Sequence, residues 1–120
     1  MTDYHRRADI ELAPALVALA PTEARAFVAF NHACAREDGV VPARYRELIS
    51  LAVALTTQCA YCIDVHAKAA VKAGATRAEF AETAMIAAAV RAGGTLAHGL
   101  LGLRLFDEAA TPISRPDRSG

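Results

Sequence analysis

Alanine accounts for 29 of the 120 residues, and glycine or proline falls where one apolar stretch gives way to the next. That pattern restricts the chain to packed helices. Alanine is the strongest helix former. Strand-favouring residues never alternate over a span long enough to build a sheet. The expected fold class is all-α: a single-domain bundle of about six helices over residues 1–110. A disordered tail is expected over 111–120, which holds Pro112, Ser114, Pro116, Ser119 and Gly120.

The punctuation sets the expected helices. Asp9 to Ala20 carries Leu12, Leu16 and Leu19 at helical spacing. Pro21 opens a second helix through Phe27, Phe30 and Cys34 to Gly39, and Pro42 opens a third to about Thr57, striped by Leu48, Leu51 and Leu55. Thr56-Thr57-Gln58 reads as a break. A fourth helix starts at or just before Cys59 and ends at Gly74. Thr76 and Glu79 have capping-box spacing and open a fifth, expected to stop at Gly93-Gly94. A sixth covers Thr95 to Glu108. No internal repeat and no domain linker interrupts the series.

Charge and cysteine count exclude several functions. Thirteen basic and thirteen acidic residues leave no net charge, so neither a nucleic acid nor an anionic membrane is an expected partner. The apolar run Ala84 to Val90 stops at Arg91, too short for a bilayer span. The N-terminus leads into no apolar signal segment, so a cytoplasmic location is expected. Three cysteines in such a chain argue against a structural disulfide framework. A hydrophobic share of 54% on so small a chain favours a homo-oligomer.

The chemistry concentrates in Cys59-Ala60-Tyr61-Cys62-Ile63-Asp64-Val65-His66, with Glu47 upstream. Two thiols at this spacing can close a small disulfide ring. Both fall at a helix start, where free N–H groups and the helix dipole favour a thiolate. His66 follows Cys62 by one turn on the same face and can take its proton. Glu47, on the third helix, lies on a half-buried face and needs a partner. His66 is one, with Glu47 orienting its ring; Arg44 is the local alternative. The dipole favours Cys59 as the more acidic thiol, and His66 favours Cys62. Tyr61 and His98 are candidate pocket residues. His98 also suits a core or interface histidine, and Tyr61 a packing role. Cys34 reads as a buried structural thiol, and Val65, Ala69 and Leu100 as an apolar lining.

Other chemistries fit less well. A structural zinc site needs four ligands, and no second pair accompanies Cys59, Cys62 and His66. Haem attachment needs a histidine where Ile63 stands. A thioredoxin-type motif needs strands between helices. No cofactor and no metal is expected.

In these residues the chain resembles the carboxymuconolactone decarboxylase superfamily, in its alkyl hydroperoxidase D-like branch. That branch carries a glutamate, then C-x-x-C, then x-x-x-H, matched by Glu47, Cys59, Cys62 and His66. Arg46-Glu47-Leu48-Ile49, Thr56-Thr57-Gln58-Cys59 and Arg91-Ala92-Gly93-Gly94 are similar to family segments, and the likeness covers about residues 20–106. The resemblance implies an all-α fold assembled as a homotrimer or homohexamer, with sites near subunit interfaces. It also implies a peroxidase that reduces organic hydroperoxides and is re-reduced by a thiol donor. In family terms Cys62 is oxidised to a sulfenic acid, Cys59 resolves it as a Cys59–Cys62 disulfide, and His66 and Glu47 relay protons. Some peroxidase members have a second histidine inside the CxxC, where this chain has Tyr61; the implied relay is shorter. The lactone decarboxylases generally lack the dithiol. The alternatives are a disulfide reductase with little peroxidase activity, a lyase on a small carboxylic acid using Glu47 and His66, and a non-catalytic assembly subunit.

Overall fold

The computed structural model describes residues 4–112; the expected tail beyond Pro112 lies outside them. A 3-10 helix, Arg7–Leu12, is followed by helices α1 (Ala13–Leu19), α2 (Pro21–Cys34), α3 (Ala43–Thr57), α4 (Ala60–Lys72) and α5 (Arg77–Ala110). No strand occurs among the described residues, so the chain is all-α as expected.

Local signals explain most boundaries. Asp9 Oδ2 accepts the Arg6 N–H at 3.1 Å and starts the 3-10 turn. The expected first helix therefore splits into a 3-10 segment and α1. Pro21 opens α2 at a position that has no helical N–H to lose.

Two chain reversals bracket α4. At the end of α3, Gln58 takes the left-handed conformation (φ 57°), and the Cys59 N–H bonds the Ala54 carbonyl at 3.0 Å. Glycine usually fills that position, because a side chain costs about 1–2 kcal/mol there. At the end of α4, Gly74 fills it at φ 91°. The Ala75 N–H reaches the Ala70 carbonyl at 2.9 Å, and the Gly74 N–H reaches Val71 at 3.1 Å. Thr76 and Glu79 then form the expected capping box: Thr76 N–H to Glu79 Oε1 at 2.9 Å and Glu79 N–H to Thr76 Oγ1 at 3.1 Å.

Only Gln58 and Cys59 separate α3 from α4, and these two helices make the most extensive pairing among the described residues. Leu48, Leu51 and Ala70 form their buried core, with Ile63, Ala67 and Ala75 packed around it. Leu51 is 1% exposed, and such burial is worth about 1.5–3 kcal/mol. The buried faces of α3 and α4 are thus locked together, and the functional side chains project from beside that seam.

The chain divides into two compact units, residues 1–87 and 88–120. The first contains everything up to the opening turns of α5. In the second, the described structure is the rest of α5, and Val90, Leu96, Leu100, Leu103 and Phe106 are exposed along it. Their spacing places apolar side chains on every side of the helix.

The expected stop at Gly93-Gly94 does not occur: α5 runs unbroken for 34 residues. Neither glycine adopts a positive φ, and each costs only about 1 kcal/mol in a helix. The alanines and leucines on both sides carry the helix across, and past Gly99 and Gly102 as well. By length and composition alone, α5 reaches what a membrane crossing requires, with an 18-residue window of mean hydropathy 1.3. The Ala84–Val90 run expected to be too short is only part of this longer apolar window.

Candidate active site

Cys59 is the N-cap of α4, and its sulfur accepts the N–H of Cys62 at 3.3 Å. Cys59 and Cys62 are joined as a disulfide, with Cα atoms 5.3 Å apart. The ring therefore sits on the first turn of α4, where the orphan N–H of Cys62 points at the Cys59 sulfur and the positive end of the helix dipole favours negative charge. That environment lowers the cost of forming a thiolate when the ring is open. Both cysteines are partly exposed.

His66 lies one turn beyond Cys62 on the same face of α4. Its Nδ1 is 2.6 Å from Glu47 Oε2, so α3 and α4 meet through a short polar contact beside their apolar core. The Glu47 side chain is 9% exposed and that of His66 is 34% exposed. A carboxylate only accepts, so Nδ1 carries the hydrogen and Nε2 is the ring's proton acceptor. On the other carboxylate oxygen, Oε1, the Arg46 Nε and one Nη each approach to 3.4 Å. Arg46 is itself anchored, donating to the Arg36 carbonyl at 3.1 Å. The buried charge of Glu47 is thus balanced from two sides, as burial demands. Arg44, the local alternative partner, instead pairs with Glu79 at 3.5 Å. The spacing of the motif did not point to Arg46.

A second polar cluster holds the outer face of the disulfide turn. The Tyr61 hydroxyl donates to Asp9 Oδ2 at 2.5 Å. Arg7 Nε donates to Asp64 Oδ1 at 3.1 Å, and Lys68 Nζ reaches Asp64 Oδ2 at 3.0 Å. The hydrogen bond from Tyr61, and then that from the Arg6 N–H, hold the Asp9 carboxyl below its ordinary value. The same bond to Asp9 raises the Tyr61 phenol. The bond from Lys68, with the nearby charge of Arg7, lowers Asp64. The segment from His5 to Ile10 and Ala60, Tyr61 and Asp64 line an open cavity of about 180 Å³. Tyr61, expected as a pocket or packing residue, lines this cavity and anchors the N-terminal segment.

The remaining expectations fare differently. Cys34 is exposed at the end of α2, not buried: Phe27 and Phe30 on the same helix are also uncovered, so no core closes over it. His98 is exposed, with Nδ1 3.1 Å from the Gly94 carbonyl one turn earlier on its own helix. Val65 and Leu100 are exposed, and Ala69 is partly buried. Among the described residues no three His, Cys, Asp or Glu side chains gather as a metal site.

Comparison with known sequences matches residues 21–104 to the carboxymuconolactone decarboxylase family. The chain is 42% identical over 71 residues to "Uncharacterized protein 4 in cox locus" of Paracoccus denitrificans, covering 59% of this chain and 64% of that protein. It is 55% identical over 38 residues to an uncharacterized protein of Haemophilus influenzae, covering 32% of this chain and 34% of that one. The chain thus spans less than two thirds of each of these relatives. The family match takes in well over half of the chain, which therefore belongs to the carboxymuconolactone decarboxylase family.

Proposed function

We propose that this chain is a thiol-dependent peroxidase of the alkyl hydroperoxidase D-like branch, acting on organic hydroperoxides through Cys59 and Cys62. The observation that carries this reading is a disulfide on the first turn of α4 with His66 one turn along the same helix, its ring held by Glu47 of α3. A spectator pair of cysteines has no need of a helix start, a ring and a carboxylate-oriented base together.

The cycle balances as follows. The Cys62 thiolate attacks the distal oxygen of the hydroperoxide and the O–O bond breaks. The alkoxide takes a proton and leaves as the alcohol, and Cys62 becomes a sulfenic acid. The Cys59 sulfur attacks Cys62 sulfur, the S–S bond forms, and the hydroxyl leaves as water with a proton. Two electrons and two protons pass from the two thiols to the peroxide. His66 Nε2 takes the proton of Cys62 and returns it to the departing oxygen, while Glu47 holds the ring and stabilises its charged form. Two thiols of a donor then reopen the ring by exchange. Dependence on such a donor suits a reducing compartment such as the cytoplasm.

The test is a free-thiol count on reduced protein after one equivalent of cumene hydroperoxide. Loss of two thiols per chain, faster than free cysteine reacts, supports the reading. Loss at the free-cysteine rate removes it and leaves disulfide exchange. A lyase acting on a small carboxylic acid would use Glu47 and His66 alone and would survive serine at both cysteines.

The same reading makes the chain a homotrimer or homohexamer. The exposed apolar side chains of α5 support this, because copies packed along the helix would remove them from water. Arg91, His98 and Arg104 recur along it, which suits helix packing better than a lipid surround.

A further inference from the structure

The N-terminal 3-10 helix lies outside the family match, which begins at residue 21, yet it is bonded to the turn that carries the disulfide. Tyr61 stands inside the Cys59–Cys62 ring, and its hydroxyl donates to Asp9 at 2.5 Å. Asp9 is in turn fixed by the Arg6 N–H at 3.1 Å. Two residues past the ring, Asp64 takes Arg7 at 3.1 Å. The His5 ring also meets the Tyr61 ring edge-on, with centroids 5.5 Å apart. The segment from His5 to Asp9 therefore grips the redox turn at two points, one of them between the cysteines.

We propose that Asp9, acting through Tyr61, is a positioning residue for the Cys59–Cys62 pair: it holds the turn in the geometry that the disulfide needs and so favours the oxidised form. Closing the ring confines the backbone from Cys59 to Cys62, and that loss of freedom opposes oxidation. A turn already held by the Asp9–Tyr61 bond has less freedom to lose. The coupling is reciprocal, so the closed ring also tightens the grip on the N-terminal segment, and opening the ring loosens it. The inference rests on the dithiol–disulfide cycle proposed above, but not on peroxide as the oxidant.

The experiment equilibrates the full chain with mixtures of reduced and oxidised dithiothreitol. The two protein thiols give two electrons and two protons to the cyclic disulfide of the reagent, and the protein ring closes. The fraction oxidised is read by thiol alkylation for the wild type, Asp9→Ala, Tyr61→Phe and the double variant. The expected result is an equilibrium constant for ring closure about fivefold smaller in each single variant, or ~20 mV by the two-electron relation. The double variant should shift no further, because both changes remove one interaction. Tyr61→Phe keeps the Asp9 charge, so its shift reports the bond and not the field of the carboxylate. As a second readout, hydrogen exchange over residues 6–12 should quicken on reduction of the wild type. A common constant in all four proteins, or additive shifts, overturns the inference while the dithiol cycle stands. A wild-type pair that does not equilibrate with the reagent overturns both.

Discussion

His66 Nδ1 sits 2.6 Å from Glu47 Oε2, across the seam between α3 and α4. The contact sets the chemistry of the ring, because an acceptor on Nδ1 leaves Nε2 as the only nitrogen able to take a proton. Glu47→Gln tests this at nearly constant volume. An amide can donate to Nδ1, which moves the hydrogen to Nε2 and removes the base. We expect kcat/KM for cumene hydroperoxide to fall about 100-fold, at the lower end of what a positioned acid–base group contributes. Helix content by circular dichroism should be unchanged. A variant with wild-type kcat/KM would mean that the pair serves only to join the helices.

The two sulfurs should separate by role. With Cys62→Ser the peroxide has no nucleophile, and turnover should drop to background. With Cys59→Ser the first step survives and the sulfenic acid on Cys62 has no resolving partner, so it should persist and react with dimedone, as read by mass spectrometry. Dimedone adduct on Cys59 in Cys62→Ser would reverse the assignment, in line with Cys59 being the helix N-cap.

Much of this site was legible because its signals are local. Cys59 at a helix start, Gly74 after α4, and the Thr76–Glu79 capping box each depend on residues within one or two turns. Pairing Glu47 with His66 was legible from the motif as one of two options, since Arg44 offered a nearer partner. What escaped has no local signature. Asp9 and Tyr61 are 52 residues apart and belong to no shared motif. Gln58 adopts a conformation usually left to glycine, because the reversal between α3 and α4 requires it. Gly93-Gly94 looked like a stop, but a helix interior tolerates glycine when both flanks are strongly helical. Cys34 looked buried because α2 is apolar, and periodicity does not say whether anything covers a face.

The grip of the N-terminal segment should depend on pH in a defined sense. Asp9 has a folded-state value below the ordinary 3.8, held there first by the Tyr61 hydroxyl, so the released segment takes up its proton first. Its contribution is complete above that value and is lost as pH falls through the lowered folded value. Tyr61 is raised above 10.0, so its contribution is complete below 10.0 and is lost as pH rises through its folded value. The segment should therefore stay docked across the neutral range and release in acid. The Tyr61 ring resonances in an NMR titration should report this, and Asp9→Asn should weaken the acid transition. Release near neutrality, read as faster hydrogen exchange over residues 6–12, would contradict the assignment.

Truncations in the two units should behave differently if copies of the chain pack on α5. Leu51 is 1% exposed within its own chain, so Leu51→Ala should cost about 3 kcal/mol, within the range of 2–5 for a buried leucine. Leu100 is 72% exposed, and in an isolated chain its truncation should cost almost nothing. In an assembly the same side chain sits between subunits, and a charge there is expensive to bury. Leu100→Asp should therefore leave helix content intact while lowering the mass measured by light scattering from that of a trimer or hexamer toward that of one chain. A wild-type mass of one chain, or an assembly indifferent to Leu100→Asp, would mean that α5 does not join copies through this face.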